Sequence, residues 1–276
     1  MIPLLIISAA GISGLIMPHS PKGLLTYYSR ATGTEAIFYN PSLFIADQSR
    51  YTVNFSYAHL YQSMRNMNLG LGRKFHDFNL GVNIMNFDYG DIEAHPDYPT
   101  GESTGFYTGS DFCIGILLSK NFTQNGRIGI KTKYIYENLY IYSGATLAVD
   151  FSLAYMNEIS GLSLGATNIG GTIKIANETV NLPAKLSGGY YRKFGLLTLS
   201  GDLHYLVNTS SFESSLAAEL ELSKKLMTGF AINYRDQVFP GFYLGITHNL
   251  LHINYGASLY PYNLGMVNSV GIGVSF

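Results

Sequence analysis

The sequence predicts an all-β fold, a transmembrane antiparallel β-barrel of about fourteen strands preceded by a plug-like N-terminal segment, and it places that barrel in a bacterial outer membrane. Three observations predict it. Apolar residues alternate with small or polar ones in segment after segment, up to the last residue. Charged residues make up only 13%, about half the usual globular share, yet the mean hydropathy of +0.12 is too low for a bundle of membrane helices. Finally, the connections between segments sort alternately into a short set and a long set, as outer-membrane barrels require.

The C-terminal segment is the clearest strand. Met266, Asn268, Val270, Ile272, Val274 and Phe276 share one face, while Val267, Ser269, Gly271, Gly273 and Ser275 share the other. Period-2 alternation puts the two sets on opposite sides of a strand. Apolar residues turned to lipid and small ones turned to a crowded interior suit a barrel wall. The same reading places strands at 51–61, 65–74, 77–88, 107–120, 126–137, 145–157, 160–169, 184–193, 195–206, 214–223, 226–235, 240–248, 250–260 and 266–276. An even number returns the last strand to the side of the first. Tight turns are expected near Phe75-His76, Asn157 to Ser160, Phe194, Lys224-Lys225 and Asn249, with longer connections at 89–106, 138–144, 170–183, 207–213 and 236–239. The connection at 121–125 blurs this sorting.

Residues 1–17 are apolar with small residues interspersed, and Ser8-Ala9-Ala10 before Gly11 is a small-residue cleavage site of the secretory kind. They are expected to be a signal peptide, although a positive leading region is missing: either translation starts upstream or the signal is degenerate. Residues 18–50, punctuated by Pro18, Pro21, Gly23, Gly33 and Pro41, do not read as strands. A short helix is expected within Ala31 to Phe38, and the segment either plugs the lumen or lies at the periplasmic mouth. Residues 51–276 form the barrel.

Several functions are excluded. A formal net charge of -1 with scattered basic residues gives no electrostatic case for nucleic acid. One cysteine, Cys113, allows neither an internal disulfide nor a multi-cysteine metal site. The seven histidines are dispersed, and no serine sits in a Gly-x-Ser-x-Gly elbow beside a base. No phosphate loop or dinucleotide fingerprint occurs. The expectation is a non-enzymatic protein without a cofactor.

Gly33-Thr34-Glu35-Ala36-Ile37-Phe38-Tyr39-Asn40-Pro41-Ser42-Leu43 resembles the N-terminal signature of the PorV/PorQ group of FadL-like outer-membrane proteins. Gly101 to Asp111 (GESTGFYTGSD) and Lys133 to Leu139 (KYIYENL) resemble further elements of that group, with Asn168-Ile169-Gly170 and Leu182-Pro183 in the expected order. The resemblance covers most of residues 31–205. It implies a barrel that assists type IX secretion or surface assembly, with a secretion-channel or surface protein as partner. Its alternative is FadL-like transport of small or hydrophobic solutes, which distant relatives pass through a side opening.

Candidate site residues follow from phase. Gly33, Asn40 and Pro41 form a turn motif in the prelude, because an asparagine side chain bonds nearby backbone and proline fixes one dihedral. Asp111, Asp150, Asp202 and His204 point inward, as do a basic row of Arg127, Lys131 and Lys133 and an acidic row of Glu219 and Glu221. Such a lumen is either a water-filled path with a transverse field or a closed interior held by paired charges. Gly105, Gly109 and Gly115 allow curvature or close approach. The 89–106 loop carries Asp91, Glu93, Asp97 and Glu102 without a lysine or arginine, while His95 and Tyr98 add contact groups. It is expected at the cell surface as a partner loop. Phe276 ends the chain as an assembly signal, and the lipid bilayer and barrel-assembly machinery are the remaining expected partners.

Overall fold

The computed structural model describes residues 12–31, 33, 35–46, 51–94, 105–176, 178–260 and 264–276. Among them run β1 (Thr52–His59), β2 (Arg65–Phe75), β3 (Phe78–Ala94), β4 (Gly105–Asn121), β5 (Gly126–Leu139), β6 (Tyr142–Met156) and β7 (Ser160–Gly170). There follow β8 (Thr172–Ile175), β9 (Glu178–Asn181), β10 (Lys185–Phe194), β11 (Leu197–Leu206), β12 (Ser211–Ser223), β13 (Leu226–Arg235), β14 (Gln237–His248), β15 (Leu251–Tyr260) and β16 (Gly265–Ser275). Fourteen of these close into one antiparallel barrel, in which every strand pairs with its sequence neighbour and β1 also pairs with β16. β8 and β9 stand apart as a two-stranded hairpin. Tyr51 and Phe276 exchange backbone hydrogen bonds of 2.7 and 2.9 Å at the seam, so no ladder edge is exposed there.

Each of the fourteen segments read from alternation is a barrel strand. The connections depart from expectation, and the one at 89–106 is shortened by strand at both ends, β3 running to Ala94 and β4 starting at Gly105. Residues 138–144 and 236–239 are largely strand, leaving only Tyr140-Ile141 and Asp236 as turns. Tyr140 (φ 57°) and Asp236 (φ 60°) adopt the left-handed conformation that a tight hairpin needs. Glycine is the usual residue there, so composition gives no warning. The 170–183 connection is the β8–β9 hairpin, whose Ile173 and Ile175 are buried.

The outward face is apolar around the wall. Ile116, Leu216, Phe230 and Ile232 are all more than half exposed, and an apolar band of this extent is stable only against lipid. In β16, Val270 and Ile272 are each 44% exposed while Ser269, Gly271 and Gly273 are buried. The chain is an outer-membrane barrel. Replacing Ile272 with arginine puts a charge against hydrocarbon and is expected to cost roughly 2–4 kcal/mol. Reduced heat-modifiable barrel on unheated gels reads this out; wild-type abundance and mobility would overturn the phase of β16.

The described residues between 12 and 46 occupy the lumen. Short turns at Ser13–Leu15, Pro21–Leu24, Ala36–Tyr39 and Pro41–Leu43 stack along the interior, and Ile12, Leu25, Tyr28, Ile37, Leu43 and Phe44 are all but completely buried. The helix is one turn, at 36–39 rather than within 31–38. Gly33 (φ +63°) breaks the chain direction before it and Pro41 begins a new turn after it. Residues 12–17 of the expected leader lie in the lumen with the described part of the prelude; residues 1–11, 32, 34 and 47–50 are outside the described set. The wall makes room with glycine. A Cβ on Gly129 would lie 2.2 Å from the Pro41 carbonyl carbon, and one on Gly241 would lie 2.1 Å from the Leu24 oxygen.

Candidate functional site

The plug is fixed to the wall by buried charges and by caps on its turns. Glu219, on β12, takes an ion pair from Lys22 and a second from Arg30, whose Nε donates to Oε1 at 3.0 Å. Asp202, on β11, accepts the backbone N–H groups of Tyr28 at 2.8 Å and Ser29 at 3.0 Å. A turn of irregular backbone inside a lumen must satisfy its polar groups somewhere, and here Asp202 does so for two of them.

The predicted turn motif is a packing device. Asn40 is wholly buried. Its Nδ2 donates to the Tyr28 carbonyl at 2.8 Å, and its Oδ1 accepts from Ser42 N and Oγ at 3.2 and 2.8 Å. Ser42 N also reaches Ser152 Oγ at 2.8 Å. The Pro41–Leu43 turn therefore sits directly on β5 and β6.

A second cluster ties plug to wall at mid-height. Lys131 and Lys133 on β5 face Asp150 on β6, at 3.5 and 2.6 Å. Lys131 Nζ also donates to the Ile37 carbonyl of the plug at 3.0 Å. Asp150 Oδ1 accepts the backbone N–H of Asn168 at 2.7 Å. There the β6–β7 ladder skips between Val149 and Phe151, and Asn168 takes φ 58°. A ladder hydrogen bond is thus replaced by a carboxylate, which produces a bulge. Asn168 Nδ2 continues to the Pro183 carbonyl at 3.0 Å, at the base of the β8–β9 hairpin. Plug, wall and hairpin meet at one buried carboxylate.

A second bulge lies in β3, where the pairing with β4 shifts between Asp88 and Asp91 and Gly90 takes φ +71°. Tyr89 keeps the inward phase of the buried Met85 and Phe87 and faces the lumen beside the bulge. Its hydroxyl donates to Asp111 Oδ2 at 3.0 Å and accepts from Ser13 N at 3.2 Å. Gly14 N donates to the same Asp111 oxygen at 2.9 Å. Together these bonds make a catch on the first turn of the plug.

Between plug and wall lies a cavity of about 90 Å³. His19, Tyr27, Lys131, Asp150, Lys185 and His204 are on its lining. Tyr27 stacks on His204 at 4.9 Å and accepts from Lys185 Nζ at 2.9 Å. Burial pulls the His19 imidazole down to about 3, and Lys131, Lys185 and Lys133 push in the same direction. Asn83 Oδ1, Thr167 Oγ1 and His204 Nε2 line this space and are buried without a protein partner, so they are available to water or a polar group on a solute.

The structure brings together most of the sequence-predicted residues. Asp111, Lys131, Lys133, Asp150, Asp202 and Glu219 are inward and buried. Arg127 and Glu221 are inward but stand at the turn-end mouth, where Glu221 pairs with Lys193 at 3.0 Å. The basic and acidic rows do not pair across the lumen: Lys131 and Lys133 use Asp150, and Glu219 uses the plug. Of the loop candidates, Asp91 and Glu93 are exposed on β3, while His95, Asp97 and Tyr98 lie outside the described residues. Lys22 and Arg30 were not singled out from the sequence, although they are two of the few charges in an otherwise apolar and aromatic prelude. Among the described residues no group of three or more His, Cys, Asp or Glu is placed to hold a metal ion.

Neither a protein-family profile nor a curated protein sequence matches the chain. Solved structures do. The Ralstonia pickettii toluene transporter TbuX is similar with a TM-score of 0.68 at 9% identity, over 95% of this chain and 98% of that one. The Pseudomonas putida toluene transporter TodX is similar with a TM-score of 0.66 at 10% identity, over 97% of each chain. A TodX variant lacking S2 and S3, described as a monoaromatic hydrocarbon channel, gives 0.66 at 12%. This likeness overturns the PorV/PorQ assignment and the type IX secretion role that rested on it. The motifs behind that assignment have structural causes: 33–43 is shaped by its seat against Gly129, and 133–139 alternates because it is a strand. Over 95–97% of its length the chain shares the fold of these barrels.

Proposed function

We propose that the barrel passes small hydrophobic solutes across the outer membrane, the alternative that the sequence left open. The observation that supports it most is that the lumen is filled by a folded plug, in a chain that shares its overall fold with two toluene transporters. A general diffusion pore would keep a continuous water path. Here the cavity between the plug and the wall around His19 and His204 is about 90 Å³, less than the roughly 150 Å³ cavity that accommodates benzene in an engineered protein, while a wider space of about 640 Å³ lies at the turn-end mouth beside Gly33 and Glu35. A solute therefore enters by moving plug side chains, and the bulges in β3 and β7 are where the wall has already given up ladder hydrogen bonds.

The test is reconstitution into planar bilayers and into lipopolysaccharide-containing vesicles. Intact protein is expected to carry no steady ionic current yet to raise the entry rate of radiolabelled toluene above protein-free vesicles. Protein lacking residues 18–50 is expected to carry current. Hydrocarbon entry no faster than in protein-free vesicles, with and without those residues, would reject the transport role.

A further inference from the structure

The outer wall carries a recess at the end of the barrel where β1 begins and β16 finishes. Antiparallel succession brings the turn between β6 and β7 to that end, which faces the periplasm in a barrel whose short turns lie there. Asn157, Glu158, Ile159 and Ser160 of the turn, with Tyr190 and Arg192 of β10, line a space of about 510 Å³. Tyr190 and Arg192 face outward because Gly189 and Tyr191, the alternate residues, are turned inward and buried. The recess has fixed sides. Asn157 Oδ1 accepts the backbone N–H groups of Ile159 and Ser160 at 2.9 and 2.8 Å. Lys193 N donates to the Ile159 carbonyl at 2.7 Å, which ties the turn to β10.

Its surroundings show which medium it opens to. Ile159 is 58% exposed although it sits on a turn, and Tyr155, Leu162 and Phe194 are exposed beside it. Aromatic and aliphatic side chains gathered at the end of a membrane strand mark the level where acyl chains meet headgroups. The recess also holds one cation and one carboxylate. Among the described residues neither Arg192 nor Glu158 takes part in an ion pair. The Arg192 guanidinium stands over the Phe194 ring, 5.4 Å from its centroid, so a face is occupied while the N–H edge is left for a ligand. We propose that this recess binds a phospholipid of the periplasmic leaflet through a phosphoethanolamine head. Arg192 donates to the phosphate, whose geometry suits a guanidinium, and Glu158 accepts from the ammonium. An acyl chain then lies along Tyr190 and its ladder neighbour Leu162. A glycerol head brings no cation to Glu158, and a choline head has no N–H to donate to it.

The test is native mass spectrometry of the full-length protein in mild detergent. The probes are phosphatidylethanolamine, phosphatidylglycerol and phosphatidylcholine with the same acyl chains. The ethanolamine lipid is expected to stay bound when either of the others competes at equal concentration. Arg192→Gln should retain it about fivefold less, the change that one charge pair at a wet rim supplies. Glu158→Gln should hold the ethanolamine and glycerol lipids about equally. Both side chains are exposed, so heat-modifiable mobility should match wild type. Should a variant fail to fold, the competition on wild-type protein decides alone. Equal retention of the three lipids would overturn the proposal, as would unchanged ethanolamine-lipid retention in both variants. A lipid-free dimer that the substitutions dissociate would overturn it too, by giving the recess to a second copy of the chain.

Discussion

Replacing Glu219 with alanine is expected to release the plug. Glu219 is the single carboxylate for two plug cations, Lys22 and Arg30, and its side chain is 1% exposed while that of Lys22 is 4% exposed. Removing one partner of a buried pair typically costs about 3–5 kcal/mol, because the remaining charge has no solvent to turn to. Here two cations are stranded, and they share a segment of turns that has no strand ladder of its own. The loss should therefore fall on the plug and spare the barrel, whose fourteen-strand ladder is unchanged. Limited proteolysis in detergent is expected to remove residues 12–46 from the variant under conditions that leave the wild type intact, with heat-modifiable mobility retained. Protease resistance equal to wild type would mean that the plug is held chiefly elsewhere, at Asp202 and Asp150.

Gly129→Leu is expected to act from the other side, by filling the seat. The Cβ alone would stand 2.2 Å from the Pro41 carbonyl carbon and 2.4 Å from Ser42 N, so backbone has to move. Overpacking a filled interior typically costs about 1–3 kcal/mol, and the plug turn is what can yield, since β5 is bonded along its length to β4 and β6. The Asn40–Ser42 bonds and the Ser42–Ser152 bond should be lost with it. Planar-bilayer recordings are expected to show ionic steps in the variant where the wild type is silent. A silent variant with wild-type thermal stability would show that the turn can shift without unsealing the lumen.

Much of this arrangement was legible from the sequence, and for a definite reason. Alternation is a local property: Ile272 between Gly271 and Gly273 declares its face whatever the rest of the chain does, and the phase of Lys131, Lys133 and Glu219 follows in the same way. Partner choice is not local. That Glu219 would take Lys22, 197 positions away, while Lys131 took a neighbour on the next strand, depends on how the plug threads the lumen. The β8–β9 hairpin was hidden because its four-residue strands are too short to show a period. Tyr89 was hidden because the alternation reads as ending at 88, which puts it in the 89–106 connection, although it keeps the inward phase of Met85 and Phe87. The motif resemblance failed because its elements follow from local needs: Asn40 and Pro41 shape a buried turn, and residues 133–139 alternate because they are part of a strand.

The distance in sequence between Lys22 and Glu219 also sets an order of events during folding. The plug leads the chain, yet its counter-charge lies on β12 and its seat is spread over β5, β6 and β11. Contacts between residues so far apart form late, since the entropy of closing the intervening loop is spent before they repay it. Until then the plug can neither neutralise its cations nor complete its turns. The seam between β1 and β16 adds a geometric condition, because once Tyr51 and Phe276 are bonded the wall has no open side. Hence the barrel is expected to wrap around a plug that is still finding its bonds, and a variant that slows docking should accumulate as an unclosed sheet rather than as an empty barrel.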